Sequence, residues 1–206
     1  MQDSTEFSIT LAINLDDNNK GSFWHCLDGV LGQSIPFTKV CVVDSCIQLP
    51  EGYFSGFLKR ASKILPQSPQ YKRVARQFST PKPAQNIGWQ FVNERFTPST
   101  PLFMWLQANH YLRPNFISVL KDAFESHRYT CCYQFDLLPI SGQKYTCVNS
   151  FCVTSQVFNE IIFSDKYDGN NLAALINNLV TREDEWKLPS PWKDYAVLPL
   201  YVEELS

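Results

Sequence analysis

The sequence lacks both a long apolar run and a sorting segment at its start. No stretch of the 206 residues approaches the ~18 consecutive apolar residues that a membrane-spanning helix needs. The opening residues, MQDSTEFSIT, contain neither the basic segment nor the apolar segment of a signal peptide. We therefore expect a soluble, cytoplasmic protein with no transmembrane segment.

The chain also has no excess of charge of either sign. Its 18 Lys and Arg residues nearly balance its 20 Asp and Glu residues, which leaves a net charge of −2. Such a balance gives no general attraction to nucleic acid, so we expect no nucleic-acid partner. The phosphate-binding motifs G-x-x-x-x-G-K-[ST] and G-x-G-x-x-G are missing, and so is the nucleophile motif G-x-S-x-G.

The seven cysteines show no pattern of pairing or metal binding. Their number is odd, no C-x-x-C pair occurs, and no Cys/His spacing is typical of a zinc site. Several lie inside apolar, strand-like runs, where cysteine behaves as a small hydrophobic residue. This usage indicates a reducing compartment.

What the sequence does have is alternation of apolar strands and amphipathic helices. Residues 7–14 and 40–44 are β-rich apolar runs, and the second is typical of a strand buried on both faces of a parallel sheet. Between them, helical spacing places four apolar residues on one face: Phe23, Leu27, Val30 and Leu31. The order β-α-β predicts a parallel strand pair with a right-handed crossover.

The same alternation continues to about residue 126. Residues 101–106 form another apolar strand, and Pro114 is placed to open a helix. Further strands are predicted at 71–78, 129–138, 144–153 and 195–202, and further helices at 52–64, 83–96 and 169–180. We predict one α/β domain over residues 1–206, with a Pro-containing tail at 187–206. The predicted architecture is a three-layer α/β/α sandwich around a mostly parallel, Rossmann-like sheet.

Ligands of such sheets bind outside the carboxyl ends of the strands. The three segments to inspect are Asn14–Asn18, Asp44–Cys46 and Gln107–His110. Five segments around these tips carry a resemblance: ITLAINLDDN, CLDGVLGQSIPFTKVCVVDSC, PAQNIGWQFV, WLQANHYLRPNFISVL and the stretch 148–180. In order and spacing they resemble the family 2 glycosyltransferases, over roughly residues 7–180.

The resemblance implies a GT-A type fold that binds a nucleotide-sugar donor, with a UDP-sugar as the first expectation. It implies hexosyl transfer with inversion to a saccharide or lipid-linked acceptor. In the family a D-x-D motif holds a divalent metal, and here that place reads Gln107-Ala108-Asn109-His110. Neutral amides bind hard cations poorly, so we assign no metal site and no certain cofactor, and expect at most weak binding of Mn²⁺ or Mg²⁺.

The resemblance also implies nucleotide-sugar contacts from Asp44, Ser45, Asn86, Asn109 and His110. Two of these have a second interpretation. Asp44 is also placed to cap the turn that follows its strand. His110 is either a loop histidine at a strand end or a protonated group that faces a diphosphate.

The family's catalytic base is missing at its usual position. The G-E-D motif is replaced by Gly169-Asn170-Asn171, and Asn171 cannot accept a proton near neutral pH. An asparagine here is equally suited to cap the predicted helix. The catalytic residue therefore stays unassigned, with Asp168 as a nearby substitute.

Three functional hypotheses follow, and whether the chain is an enzyme stays open. The first is an inverting glycosyltransferase with little or no metal dependence. The second is a catalytically inactive homologue that binds nucleotide or a partner protein. The third is an unrelated α/β binding module.

Overall fold

A computed structural model gives the fold of the chain. The described residues are 7–44, 46, 49, 52–73, 100–126, 130–138, 145–154 and 194–204.

Within the described residues, eight strands form one mixed sheet, and three helices follow three of its strands. The strands are β1 (Ile9–Leu15), β2 (Lys39–Asp44), β3 (Gln70–Arg73), β4 (Leu102–Gln107), β5 (His110–Leu112), β6 (Thr130–Leu138), β7 (Tyr145–Thr154) and β8 (Asp194–Glu204). The helices are α1 (Phe23–Leu31), α2 (Ser55–Ala61) and α3 (Phe116–Ser126), and a 3-10 turn, Lys20–Ser22, leads into α1.

Near the centre of the sheet, between β1 and β4, the chain changes the side on which it adds strands. The order is β3-β2-β1-β4-β7-β6-β8-β5. The chain builds outward from β1 to β3 on one side and then returns to place β4 on the other side of β1. The pairs β1–β2, β2–β3 and β1–β4 are all parallel. The connections leave β1 and β4 toward opposite sides of the sheet. In open α/β sheets ligands bind in the crevice at such a point, outside the carboxyl ends of the two strands.

The half of the sheet that contains β7, β6, β8 and β5 bends back toward α1. Strand β5 follows β4 after a turn of two residues, Ala108 and Asn109, yet it lies four places away in strand order. Four strand spacings of about 4.8 Å amount to about 19 Å in a flat sheet, whereas three residues of chain reach only about 10 Å. The sheet must therefore bend, and β5 comes to lie against α1, where Gly29 meets Leu112.

The main core lies between one face of the sheet and the helices. Alternate residues of β1, among them Leu11 and Ile13, pack with Leu27 of α1, Phe57 of α2 and Leu120 of α3. On the opposite face, other strand residues are buried too, as Ala12, Val43 and Trp105 show in β1, β2 and β4. Burial on both faces explains why these strands read as continuous apolar runs.

The predicted fold class is confirmed. Strands β1, β2, β3, β4, β6 and β8 run in one direction, so the sheet is mostly parallel, and the first β-α-β unit lies where it was predicted. Helix α2 is shorter than the predicted 52–64, and β8 is longer than the predicted 195–202. The helices predicted at 83–96 and 169–180 lie outside the described residues. In the part of the chain that is described, no helix is long and apolar enough to cross a membrane.

The four cysteines whose side chains the structure describes are buried, as expected of cysteine in apolar segments. Cys26, Cys41, Cys46 and Cys152 are buried free thiols. Burial raises the pKa of each thiol well above its ordinary value, and the carboxylate of Asp44 adds to the effect at Cys46. Raised thiol pKa values disfavour the reactive thiolate, so these side chains serve packing.

We expect Gly29→Ala to destabilise the fold. A Cβ at this position would lie 2.9 Å from the backbone oxygen of Leu112 and 2.9 Å from the ring of Tyr111, so β5 would have to move away from α1. Overpacking of this kind costs about 1–3 kcal/mol of unfolding free energy, measurable by urea denaturation. Gly56→Ala is the control, because Gly56 lies in α2 with open space around it. It should stabilise by about 0.5–1 kcal/mol through helix propensity. Equal effects of the two changes would contradict close packing at Gly29.

Candidate functional site at the strand tips

The carboxyl ends of β1, β2 and β4 meet at one edge of the sheet. Asn14 in β1 is the register partner of Gln107 in β4, and Leu15 is the partner of Asp44 in β2. The three tips that the sequence singled out therefore lie side by side, on both sides of the crevice between β1 and β4.

A cluster of neutral amides joins β1 to β4 at this edge. Asn14 Nδ2 donates to Gln107 Oε1 at 2.9 Å, and Asn19 Nδ2 lies 3.4 Å from the same oxygen. Asn19 Nδ2 also donates to the backbone oxygen of Asn14 at 3.2 Å. We call Asn14, Asn19 and Gln107 the amide cluster. Its two asparagines are buried, so these hydrogen bonds form where water does not compete.

The loop after β1 holds Asn19 in position. Asp16 Oδ1 accepts from the backbone N–H of Asn18 at 2.8 Å and from that of Asn19 at 3.1 Å. In return, Asn19 Oδ1 accepts from the backbone N–H of Asp16 at 2.8 Å. These reciprocal bonds fix the turn, which is the local reason that the polar stretch LDDNN folds back onto the strand tips.

Ser150 of β7 ties the next turn to the sheet. Its hydroxyl oxygen accepts from the backbone N–H of Gln107 at 3.0 Å and lies 2.7 Å from His110 Nδ1. Ser150 is fully buried and His110 is 3% exposed. Burial lowers the pKa of His110 to about 4. The imidazole is therefore neutral at pH 7, because burial in an apolar environment penalises the charged form.

The burial of His110 bears on the two interpretations that the sequence left open. One was a protonated histidine that faces a diphosphate. The enclosed site favours the neutral form of the ring, and contact between His110 and a donor stays a prediction. His110 begins β5, where its backbone pairs with Glu204 of β8, and its ring is enclosed. The loop-histidine interpretation needs amendment, since the residue belongs to a strand.

Asp44 is fully buried at the tip of β2, and both of its carboxylate oxygens have partners. Oδ1 accepts from the backbone N–H of Cys46 at 2.8 Å, and Oδ2 accepts from the hydroxyl of Tyr71 at 2.5 Å. The Tyr71 ring packs on Phe54 with centroids 4.3 Å apart. The capping role weighed from the sequence is thus observed. Contact between Asp44 and a ligand stays a prediction.

The other predicted site residues divide into two groups. Asn109 lies half-buried in the turn between β4 and β5, next to the amide cluster. Four lie outside the described residues: Ser45, Asn86, Asp168 and Asn171. Among the described residues, no group of three His, Cys, Asp or Glu side chains is placed to hold a metal ion.

Gln33 is a structural link that the sequence analysis did not single out. Its Nε2 donates to the backbone oxygens of Gly29 and Arg113, each at 2.8 Å, and its Oε1 accepts from the backbone N–H of Ile117 at 3.1 Å. It thereby joins the end of α1 to the start of α3. The sequence did contain an indication of this role, since Gln33 is the glutamine of the motif DGVLGQS.

The sequence analysis also missed Asn19 and Ser150. Ser150 could have been noticed as a small hydroxyl residue inside a strand.

Comparison with known proteins finds no matching family model and no matching curated protein. Solved structures match at the level of the fold. TarS from S. aureus, residues 1–349 in complex with UDP, has a TM-score of 0.69 at 10% sequence identity, covering 97% of this chain and 61% of that one. The chain has a glycosyltransferase-like fold. The GT-A type architecture that the sequence resembled is confirmed.

Two further structures show the same glycosyltransferase-like fold. The UDP-GlcNAc complex of S. aureus TarS 1–349 has a TM-score of 0.51 at 11% identity, covering 66% of this chain and 36% of that one. Rv0371C from Mycobacterium tuberculosis H37Rv, solved with manganese, has a TM-score of 0.52 at 11% identity and covers 97% and 90% of the two chains. This chain spans less than two thirds of the length of the TarS chains.

We expect the buried, neutral state of His110 to make stability depend on pH. An unfolded chain binds this proton with a pKa near 6.5, whereas the folded chain binds it only near 4. The unfolded state therefore holds more protons between these values. The stabilisation is complete above pH 6.5 and is lost as the pH falls toward 4. Between pH 7 and pH 5 the loss is about 2 kcal/mol of unfolding free energy.

Urea denaturation at a series of pH values measures this slope in the parent protein and in His110→Gln, which should lack most of it. His25→Gln is the control, because His25 is exposed on α1 and stacks beside Tyr111 at 5.2 Å. A His110→Gln variant with the parent's full slope would show that another group titrates.

Proposed function

We propose that the chain binds a nucleotide sugar, with a UDP-sugar as the first choice, in the crevice at the carboxyl ends of β1, β2 and β4. In this proposal it transfers the hexosyl group with inversion to a saccharide or lipid-linked acceptor. The observation that carries the proposal is the likeness over 97% of the chain to TarS in complex with UDP. The position of the polar strand ends supports the proposal independently. They lie between β1 and β4, where the chain changes the side on which it adds strands, and ligands of α/β sheets bind at such a place.

The described side chains suit recognition by hydrogen bonds. Amides at the strand tips offer N–H donors for phosphate or ribose oxygens, and carboxylates accept from ribose hydroxyls or base N–H groups. Asp44 uses one lone pair on each oxygen for Cys46 and Tyr71, and a carboxylate has about four such sites. We propose Asp44, Ser45, Asn86, Asn109 and His110 as residues of the donor site. Within this set, the neutral His110 shapes the turn and carries no positive charge to the donor.

The catalytic step needs a base for the acceptor hydroxyl, which attacks the anomeric carbon as the bond to the diphosphate breaks. We propose Asp168 for this role, because Asn171 at the usual position has no titratable oxygen. The acceptor proton then passes to the carboxylate, and the bonding electrons leave with the nucleoside diphosphate.

A catalytically inactive homologue is the second candidate. The observation that favours it is the composition of the turn Gln107–His110, which offers two neutral amides and a buried neutral imidazole where the family carries carboxylates. Such a protein would keep the crevice for nucleotide binding or for a partner protein. Turnover separates the transferase from an inactive homologue that binds the nucleotide, and nucleotide binding separates both of these from a homologue that binds only a partner protein.

Thermal unfolding in the presence of UDP, UDP-GlcNAc, GDP and CMP tests donor binding. A ligand that binds only the folded state, at about 100 times its Kd, adds about 2.7 kcal/mol to the unfolding free energy. We expect the uridine nucleotides to raise the Tm by several degrees and the others to raise it less. No rise with any nucleotide would overturn the proposed function. Release of UDP from UDP-sugars, lost in Asp168→Asn, would support the transferase, and binding without release would support the inactive homologue.

Asp44→Asn tests the tip of β2. It keeps the shape of the side chain but removes the charge that holds Tyr71 and Cys46, so we expect UDP to bind about tenfold more weakly. Asp28→Asn is the matched control, since it removes an equal charge from an exposed position of α1 that pairs with Arg60. The unliganded Tm of each variant separates weakened binding from weakened folding. If the Asp44→Asn protein binds UDP as well as the parent does, Asp44 does not belong to the donor site.

A further inference from the structure

The metal of the resembled family does not fit the corresponding turn of this chain. Divalent cations such as Mg²⁺ and Mn²⁺ select carboxylate oxygens, which bring negative charge to the site. Here the first position supplies Gln107 Oε1, a neutral oxygen that already accepts N–H groups from Asn14 and Asn19. The positive ends of both N–H dipoles point at this oxygen. A cation would have to displace them, and residues 107–110 of the turn offer it no carboxylate in return.

The last position of the turn offers a buried imidazole, and one of its two nitrogens already contacts the protein. His110 Nδ1 lies 2.7 Å from Ser150 Oγ, inside the fold. Metal binding through this nitrogen would break the contact with Ser150 and open a buried site. Asn109 remains as the half-buried member of the turn, and one neutral amide does not make a site for a hard cation.

Hydrogen bonds to three strands fix the turn without a metal. Gln107 is bonded through its side chain to β1 and through its backbone N–H to Ser150 of β7. The backbone N–H of Ala108 donates to the oxygen of Asn14 at 3.0 Å, and Ala108 is fully buried. The backbone of His110 then pairs with β8. A bound cation commonly orders such a loop, and here the protein's own neutral groups supply the order.

We infer that the turn Gln107–His110 is a metal-free, uncharged floor of the crevice, so that a nucleotide sugar binds as the free anion and not as its metal complex. This inference rests on the proposed function for its ligand, but the statement about the metal stands on the hydrogen bonds above. The negative charge of the diphosphate is then neutralised by groups other than a cation bound at this turn.

Two measurements test the inference. The first uses Mn²⁺ alone, followed by the electron paramagnetic resonance signal of the free ion as protein is added. We expect the parent protein to leave the signal unchanged up to about millimolar Mn²⁺, because no carboxylate is present at the turn. The second measures UDP affinity by calorimetry with Mn²⁺ and with EDTA, and we expect equal affinities. Mn²⁺ bound by the parent protein well below millimolar, or UDP affinity that depends on Mn²⁺, would overturn the inference.

The double variant Gln107→Glu/Asn109→Asp supplies the positive control. Both changes exchange an amide for a carboxylate of the same shape, so the turn keeps its geometry while its charge changes by about −2. We expect Mn²⁺ affinity to rise by at least about tenfold, and the Tm to rise with added Mn²⁺. Asn109→Asp alone preserves the bonds of Gln107 and serves if the double variant is unstable. If neither variant gains Mn²⁺ affinity, the absence of carboxylates is not the reason that the turn holds no metal.

The measurements with UDP and with Mn²⁺ alone also distinguish a failure of this inference from a failure of the proposed function. UDP binding that is equal with EDTA and with Mn²⁺ supports both. UDP binding that requires Mn²⁺ supports the proposed function and overturns the inference. If UDP does not bind under either condition, the proposed function fails, and the titration with Mn²⁺ alone still decides whether the turn holds a metal.

Discussion

The parallel pairing of β1 with β4 is the constraint on which the rest of the site depends. These strands are far apart in sequence, and their register places Asn14 beside Gln107 at the carboxyl ends. A shift of β4 by one residue would move each of its side chains to the other face of the sheet. Both faces of β1 and β4 are buried, so the packing on the two faces enforces the register. The core thereby determines which polar side chains meet at the crevice. The hydrogen bond between the two amides is a consequence of packing several residues away.

Neutral groups at such an edge behave differently from carboxylates. Two or three carboxylates held close together repel one another, and a cation relieves that repulsion, so an acidic loop and its metal depend on each other. Amides and a neutral imidazole satisfy one another directly and need no counterion. The buried His110 fits this pattern, since its lowered pKa keeps charge out of the turn. The tip of β2 differs, because Asp44 brings a buried carboxylate that Tyr71 and a backbone N–H stabilise.

The sequence predicted the fold well because the decisive signals are local. Apolar runs and helical spacing identify β1, α1, β2 and β4, and their order leads to a parallel sheet with ligand sites at the tips. Gln107 and Asp44 were found in this way, since each ends a buried strand. Asn19 and Ser150 were not found, because their roles depend on contacts with Gln107 across 88 and 43 residues of chain. The sequence also left two interpretations of His110 open for a related reason. A residue next to a strand end can be exposed or enclosed, and here Ser150 of β7, which lies 40 residues later in the chain, contacts the buried ring.

The curvature of the sheet has a consequence for how the molecule forms. Strand β5 lies near the middle of the chain, but its partner in the sheet is β8, and Leu112 pairs with Val202. The backbone groups of β5 are therefore paired only after β8, about 90 residues further along the chain, has reached it. Closing so long a loop costs entropy before any contact repays it, and topologies rich in such contacts fold slowly. The four strands β3, β2, β1 and β4 need no residue beyond 107 for their mutual pairing, so they can assemble first and give the later strands an edge on which to grow.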